Sequence, residues 1–141
     1  MGIQAGETVF ITSATTGLFG RYLVSAGTNH FVSDQRAAAG GPGEAITAGE
    51  LLLSSLGSCS LGLIQKTAKE HGIVLREAGT EVLFQRHASD PTQYEAIRIA
   101  VRLSGVTARE AETLVGGFTS NCPIYNTLKR GGPVEITWTV S

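Results

Sequence analysis

The sequence predicts an α+β protein with antiparallel strand pairing, and three observations carry that prediction. Strand-like and helix-like stretches come in blocks, in the order strands, helix, strands, two helices, strand. In Ala96–Leu103 the residues Ile97, Ile99, Val101 and Leu103 fall on one face, and Arg98 and Arg102 on the other. That alternation marks a half-buried antiparallel strand. Thr47–Gly72 is the longest helix-like stretch, and it carries its own start and stop signals. Thr47 and Glu50 have capping-box spacing, while His71-Gly72 offers a glycine for a left-handed C-terminal turn, with Lys66 and Lys69 near the negative end of the dipole. From Leu51 to Ile64 only small, apolar or hydroxyl side chains occur, so the helix is predicted to be buried nearly all round.

The elements follow in order. Thr8–Ile11, Tyr22–Val24 and His30–Val32 are short β-prone runs separated by turn-rich Ser13–Gly20 and Ala26–Asn29, which predicts a three-stranded meander. Ser33–Ala45 is a loop around Gly40-Gly41-Pro42-Gly43. After the long helix, Thr80–Arg86 and Ala96–Leu103 form a strand pair, with Asp90-Pro91 suited to the turn between them. Thr107 and Glu110 form a second capping box, and the helix they open would point Ala111, Leu114, Val115 and Phe118 inward. Asn121-Cys122-Pro123 breaks the chain, Ile124–Lys129 reads as a short helix with proline in its first turn, and Gly131-Gly132-Pro133 ends it. Val134–Val140 alternates and is predicted to be a last strand with Trp138 on its buried face.

At 141 residues the chain is read as one domain, residues 1–141, large enough for a real core. Its formal net charge of -1, without blocks of like charge, gives no reason to expect a nucleic-acid or membrane partner. No run is long and apolar enough to span a bilayer, and the N-terminus lacks the basic-then-apolar pattern of a signal peptide, which predicts a cytoplasmic protein. Position 6 is Gly rather than Ser or Thr, so Met1-Gly2 does not open a myristoylation motif.

Several chemistries lack their residues. His30, His71 and His87 show no ligand spacing and no Cys-x-x-Cys occurs, so no metal is expected. Gly41 and Gly43 do not complete a Gly-x-Gly-x-x-Gly fingerprint, since position 46 is Ile; no nucleotide cofactor is expected either. Gly57-Ser58-Cys59-Ser60-Leu61 is not a Gly-x-Ser-x-Gly elbow. Two cysteines remain. A cysteine inside an apolar helix is commonly inert packing, and Cys59 in mid-helix has no local source of thiolate stabilisation. Cys122 directly precedes a helix start, where unpaired N–H groups and the dipole favour negative charge on sulfur.

These two segments resemble a known family. Glu50-Leu51-Leu52-Leu53 leading into Leu56-Gly57-Ser58-Cys59 is similar to the central helix of the OsmC/Ohr proteins, which detoxify peroxides, and Ser120-Asn121-Cys122-Pro123-Ile124 resembles their second cysteine motif. Ser33-Asp34-Gln35 and the Gly-rich loop also fit. The resemblance implies antiparallel sheets packed around a long central helix, in an intertwined homodimer with active sites at the subunit interface. It further implies a thiol peroxidase of the oxidative and osmotic stress response: Cys59 as the thiolate that attacks an organic hydroperoxide, and Cys122 as the partner that resolves its sulfenic acid to a disulfide. An external dithiol, such as a lipoylated protein, would reduce that disulfide, with no bound cofactor.

The chain departs from the peroxidase branches of that family. They carry Asn-Pro-Glu before the helix, and here Thr47-Ala48-Gly49 stands in its place, with Glu50 one residue late, about 100° round the helix. Glu50 also has a complete role in the capping box. Nine residues separate it from Cys59, about 13 Å along a regular helix and on the opposite face, so help from Glu50 would have to come from another subunit. For the activating arginine, Arg21 after Thr16-Gly17-Leu18-Phe19-Gly20 matches the family's early-strand position, with Arg36 in the loop as the other candidate. The pattern is closest to the broader OsmC-like branch. The alternative to a peroxidase is therefore an OsmC-like homodimer that binds a small apolar ligand or senses redox state through its two cysteines.

Overall fold

The computed structural model describes residues 5–132 and 134–139. They form an α+β arrangement with two separate antiparallel sheets, and the chain divides into two compact units, Met1–Leu52 and Leu53–Ser141.

In the N-terminal unit β1 (Thr12–Thr15), β2 (Arg21–Ala26) and β3 (Asn29–Asp34) form the meander. Its first strand lies four residues later than the sequence suggests. Pairing is set by the Thr16–Gly20 turn, where the Thr16 hydroxyl accepts from the Leu18 N–H and donates to the Arg21 carbonyl. From that turn Thr12 already reaches Ser25, next to the end of β2. Thr8–Ile11 therefore runs past the edge of its partner, and Val9, Phe10 and Ile11 are exposed. After β3 a 3₁₀ turn (Ala37–Ala39) and the glycine loop fold back tightly: a Cβ on Gly20, which has φ 78°, would come within 2.8 Å of Gly41 Cα.

Helix α1 (Ala48–Glu70) opens with the capping box as read: Thr47 Oγ1 accepts from the Glu50 N–H, and Glu50 Oε1 accepts from the Thr47 N–H. It is not buried all round. Leu56, Gly57, Ser60, Ile64, Thr67 and Ala68 form the buried stripe, whereas Ser54, Ser58 and Gly62, spaced four apart, are exposed. Small side chains at these positions carry too little apolar area to require cover.

In the C-terminal unit β4 (Glu77–Arg86) and β5 (Tyr94–Ser104) form a long hairpin. Asp90 shapes its turn by accepting from the Thr92 N–H and hydroxyl and from Gln93. On β5 the residues Ile97, Ile99, Val101 and Leu103 pack against the core, and Arg98 and Arg102 are exposed, as the alternation requires. Helix α2 (Ala108–Asn121) starts in the full Thr107–Glu110 box and buries Leu114 and Phe118; α3 (Pro123–Arg130) follows at once. Ile64, Leu114 and Phe118 are the largest enclosed apolar side chains, each worth roughly 1.5–3 kcal/mol of burial. Gly57 and Gly117 let α1 and its neighbours approach closely. A Cβ at Gly57 would lie 3.0 Å from Thr80 Oγ1 on β4, and one at Gly117 would collide with Thr67 of α1.

The segment predicted as a last strand is not one. Val134–Thr139 pairs with no strand among the described residues, and Trp138 is 81% exposed instead of buried; Pro133 and Val140 lie outside the described residues. Alternation defines the faces a strand would have, but it supplies no edge to receive the strand.

Candidate active site

The C-terminal unit brings the two cysteines together. Cys59 lies midway along α1 and Cys122 lies between α2 and α3, 63 residues later, yet their Sγ atoms are 2.7 Å apart and one thiol is hydrogen-bonded to the other. Neither is in a disulfide. Cys122 holds two helices at once. Its N–H donates to the Phe118 carbonyl to close α2, and its Sγ accepts the Tyr125 N–H at 3.3 Å as the N-cap of α3. Pro123 at the first helical position has no N–H to satisfy, which leaves the next two amides, Ile124 and Tyr125, turned toward the sulfurs.

Access differs between the two. Cys122 is fully buried, while Cys59 is only partly covered. The Cys59 thiol is pushed up to about 11, first by burial and then by the neighbouring Cys122, and the Ile124 amide offsets only part of that rise. Within this unit Cys59 is therefore a protonated thiol at neutral pH, and the hydrogen bonds described for the two sulfurs come from each other and from backbone amides.

Arg21 and Glu50 belong to the N-terminal unit, where both have local partners. Arg21 makes a two-pronged contact with Asp34, Nε to Oδ1 at 2.8 Å and an Nη to Oδ2 at 2.9 Å, with Glu44 3.7 Å away. Asp34 also accepts the Glu44 and Ala45 amides, pinning the loop that leads to α1. Arg21 holds the Asp34 carboxyl far below the ordinary carboxylate range, ahead of those two amides. Glu50 caps α1 and, with Arg36, Glu44 and Thr47, borders a polar surface cavity of about 510 Å³. Asp34 has no role in the sequence reading, although a signal exists. A tight turn at Gly27-Thr28 pairs Ala26 with Asn29, and counting back along that register places Arg21 opposite Asp34.

A second feature has no counterpart in the sequence reading. A cavity of about 590 Å³ lies between the start of β5 and α3, with Leu56 of α1 also on its wall. Among the described residues, no cluster of three or more His, Cys, Asp or Glu side chains could hold a metal, and no helix is long and apolar enough to cross a membrane.

Comparison with known proteins agrees with this architecture. No curated protein matches the sequence. Among solved structures, a putative osmotic stress induced and detoxification response protein from Psychrobacter arcticus is 23% identical, with TM-score 0.72 over 90% of this chain and 91% of that one. An organic hydroperoxide resistance protein OsmC from Legionella pneumophila is 21% identical, with TM-score 0.67 over 89% and 92%. The organic hydroperoxide resistance protein OhrB of Bacillus subtilis is 22% identical, with TM-score 0.62 over 90% and 93%. At these identities the likeness is one of fold. The model of the OsmC-like protein family matches residues 41–137, which include both cysteines, and the chain belongs to that family.

Proposed function

We propose that this protein is a thiol-dependent reductase of organic hydroperoxides that works as a homodimer. The observation that carries the reading is the pair of free thiols 2.7 Å apart on separate elements, one partly accessible and one enclosed. Cys59, as thiolate, attacks the distal oxygen of R–O–O–H. The O–O bond breaks, the sulfur becomes a sulfenic acid, and the alkoxide leaves and takes a proton as the alcohol. Cys122 then attacks the Cys59 sulfur, forming the disulfide and releasing the hydroxyl as water. An external dithiol, such as a lipoylated protein, reduces the disulfide by two thiol exchanges and is itself oxidised. The names of the Legionella and Bacillus structures favour the substrate class.

A protonated Cys59 needs a positive source to become nucleophilic. In the proposed homodimer the N-terminal unit of the partner subunit, with its Arg21 and Glu50, meets Cys59. The dimer also draws support from apolar side chains that a single chain leaves uncovered: Val9, Phe10, Ile136 and Trp138.

The test is to mix reduced protein with cumene hydroperoxide and follow free thiols and mass. Rapid loss of two thiols is expected in the wild type, and a 16-Da adduct on Cys59 in Cys122→Ser. Oxidation no faster than that of an ordinary free thiol would exclude the peroxidase reading. The raised Cys59 pKa favours a second reading, in which the homodimer binds a small apolar ligand and the dithiol only reports redox state.

A further inference from the structure

We infer that Cys59 and Cys122 together form a chelating site for an arsonous acid, a trivalent arsenic with one carbon substituent and two hydroxyls, which they hold as a cyclic dithiolate. The inference rests on the reduced thiol pair alone and requires neither turnover of peroxide nor a second subunit. The two sulfurs lie 2.7 Å apart although 63 residues separate them, and both thiols are free. They belong to the chain's two cysteines, so a dithiol can form nowhere else in it. Thiolate sulfur is a soft donor and selects thiophilic centres over hard cations.

The number and spacing of the sulfurs choose among such centres. Zinc in a closed site takes four ligands, and among the described residues no group of three or more His, Cys, Asp or Glu could hold a metal. With the zinc–thiolate length of about 2.3 Å as a guide, a linear two-coordinate cation would need the sulfurs about 4.6 Å apart. A pyramidal centre, whose bonds meet near a right angle, needs them only about 3.3 Å apart. Cys122 resists the wider opening, since its N–H closes α2 on Phe118 and its sulfur caps α3 at Tyr125. Trivalent arsenic is such a pyramidal centre, and its third position keeps the carbon substituent, so two thiols complete it. Entry follows exposure. The first bond forms at the partly covered Cys59, and the enclosed Cys122 closes the ring as an intramolecular step. Each thiol proton leaves with one arsenic hydroxyl as water. Two As–O and two S–H bonds break, two As–S bonds and two waters form, and arsenic stays trivalent.

The experiment is intact-mass spectrometry and thiol titration of the reduced full chain with phenylarsine oxide, which hydrates to an arsonous acid in water. One phenylarsenic per chain and loss of both free thiols are expected. The adduct should survive about a hundredfold excess of a monothiol but yield to a dithiol such as dimercaptosuccinate. Cys59→Ser and Cys122→Ser, each left with one thiol, should bind at least about 100-fold more weakly. An adduct that leaves one thiol free, two arsenicals on one chain, release by the monothiol, or undiminished binding in either variant would overturn the inference. Uptake of zinc in preference to the arsenical would overturn it as well. The monothiol challenge on the unaltered chain decides the question even where a serine variant fails to fold. Capture of the arsenical by thiols that ignore hydroperoxides would remove the peroxidase reading alone. Rapid oxidation by hydroperoxide in a chain that forms no dithiol adduct would remove this inference alone.

Discussion

The Arg21–Asp34 pair of the N-terminal unit and the Cys59–Cys122 pair of the C-terminal unit are both largely withdrawn from water, and burial acts on them in opposite senses. Asp34 gains a guanidinium and two amides, so its charge is more than repaid and the carboxyl stays ionised. Cys59 gains a neutral thiol and one amide, so desolvation prevails and the proton stays. One pair is fixed in its charged form and ties a loop to a sheet. The other is held in its neutral form. Burial alone therefore does not distinguish a structural pair from a reactive one; the number of donors aimed at the anion does.

Substitutions in each pair, and pH, test the contrast directly. The largest effect is expected from Cys59→Ser, which should slow hydroperoxide-driven thiol loss by at least about 100-fold, since the enclosed Cys122 cannot substitute; stopped-flow thiol titration reads it. The second is pH. If the isolated chain lacks an external cation, its oxidation rate should climb about tenfold per pH unit and level off near 11. The same shift has a stability sign. Between the ordinary value of 9.0 and about 11 the folded chain holds a proton that the unfolded chain has lost, so stability should fall across that window. A rate plateau near pH 7 instead would show that a dimer partner already supplies the charge.

Asp34 should behave in the opposite way. Its depressed pKa gives a contribution fully present above the ordinary value of 3.8 and lost as pH falls below it. Asp34→Asn should lower the melting temperature by several degrees at pH 7 and flatten the acid limb of the stability curve, as measured by calorimetry. A steep acid limb in the variant would show that other carboxylates dominate. Smaller again is Gly117→Ala, which sets a methyl against Thr67 and should cost about 1–3 kcal/mol in urea unfolding. The smallest is Thr107→Ala, about 1 kcal/mol for a lost helix cap, and it should leave thiol chemistry untouched.

The legible parts of this molecule are those fixed by near neighbours in sequence. Both capping boxes, the alternation of β5, the Asp90 turn and the position of Cys122 before a Pro-started helix rest on spacings of a few residues. The first strand lies beyond the β-prone Thr8–Ile11 run because its register comes from the turn that follows it and from where β2 runs out. Val134–Thr139 alternates like a strand, but pairing depends on an edge that no local pattern reveals. Which of the small residues of α1 are covered is not written in the pattern, because serine and glycine read alike whether buried, as at Gly57 and Ser60, or bare, as at Ser58 and Gly62. The meeting of Cys59 with Cys122, which only the family resemblance leads one to expect, and the cavity beside α3 depend on how α1, β5 and α3 come together, across separations of tens of residues, where local pattern says little.

The 63-residue separation of the two sulfurs has a thermodynamic consequence of its own. A bond between them would enclose half of α1, the β4–β5 hairpin and all of α2 in one covalent ring. Chain-entropy arguments put the resulting restriction of the unfolded state at about 4 kcal/mol. Oxidation would then do more than record a chemical event. It would make the C-terminal unit slower to open to proteases, so that molecules which had met an oxidant would outlive those which had not, until a dithiol released them.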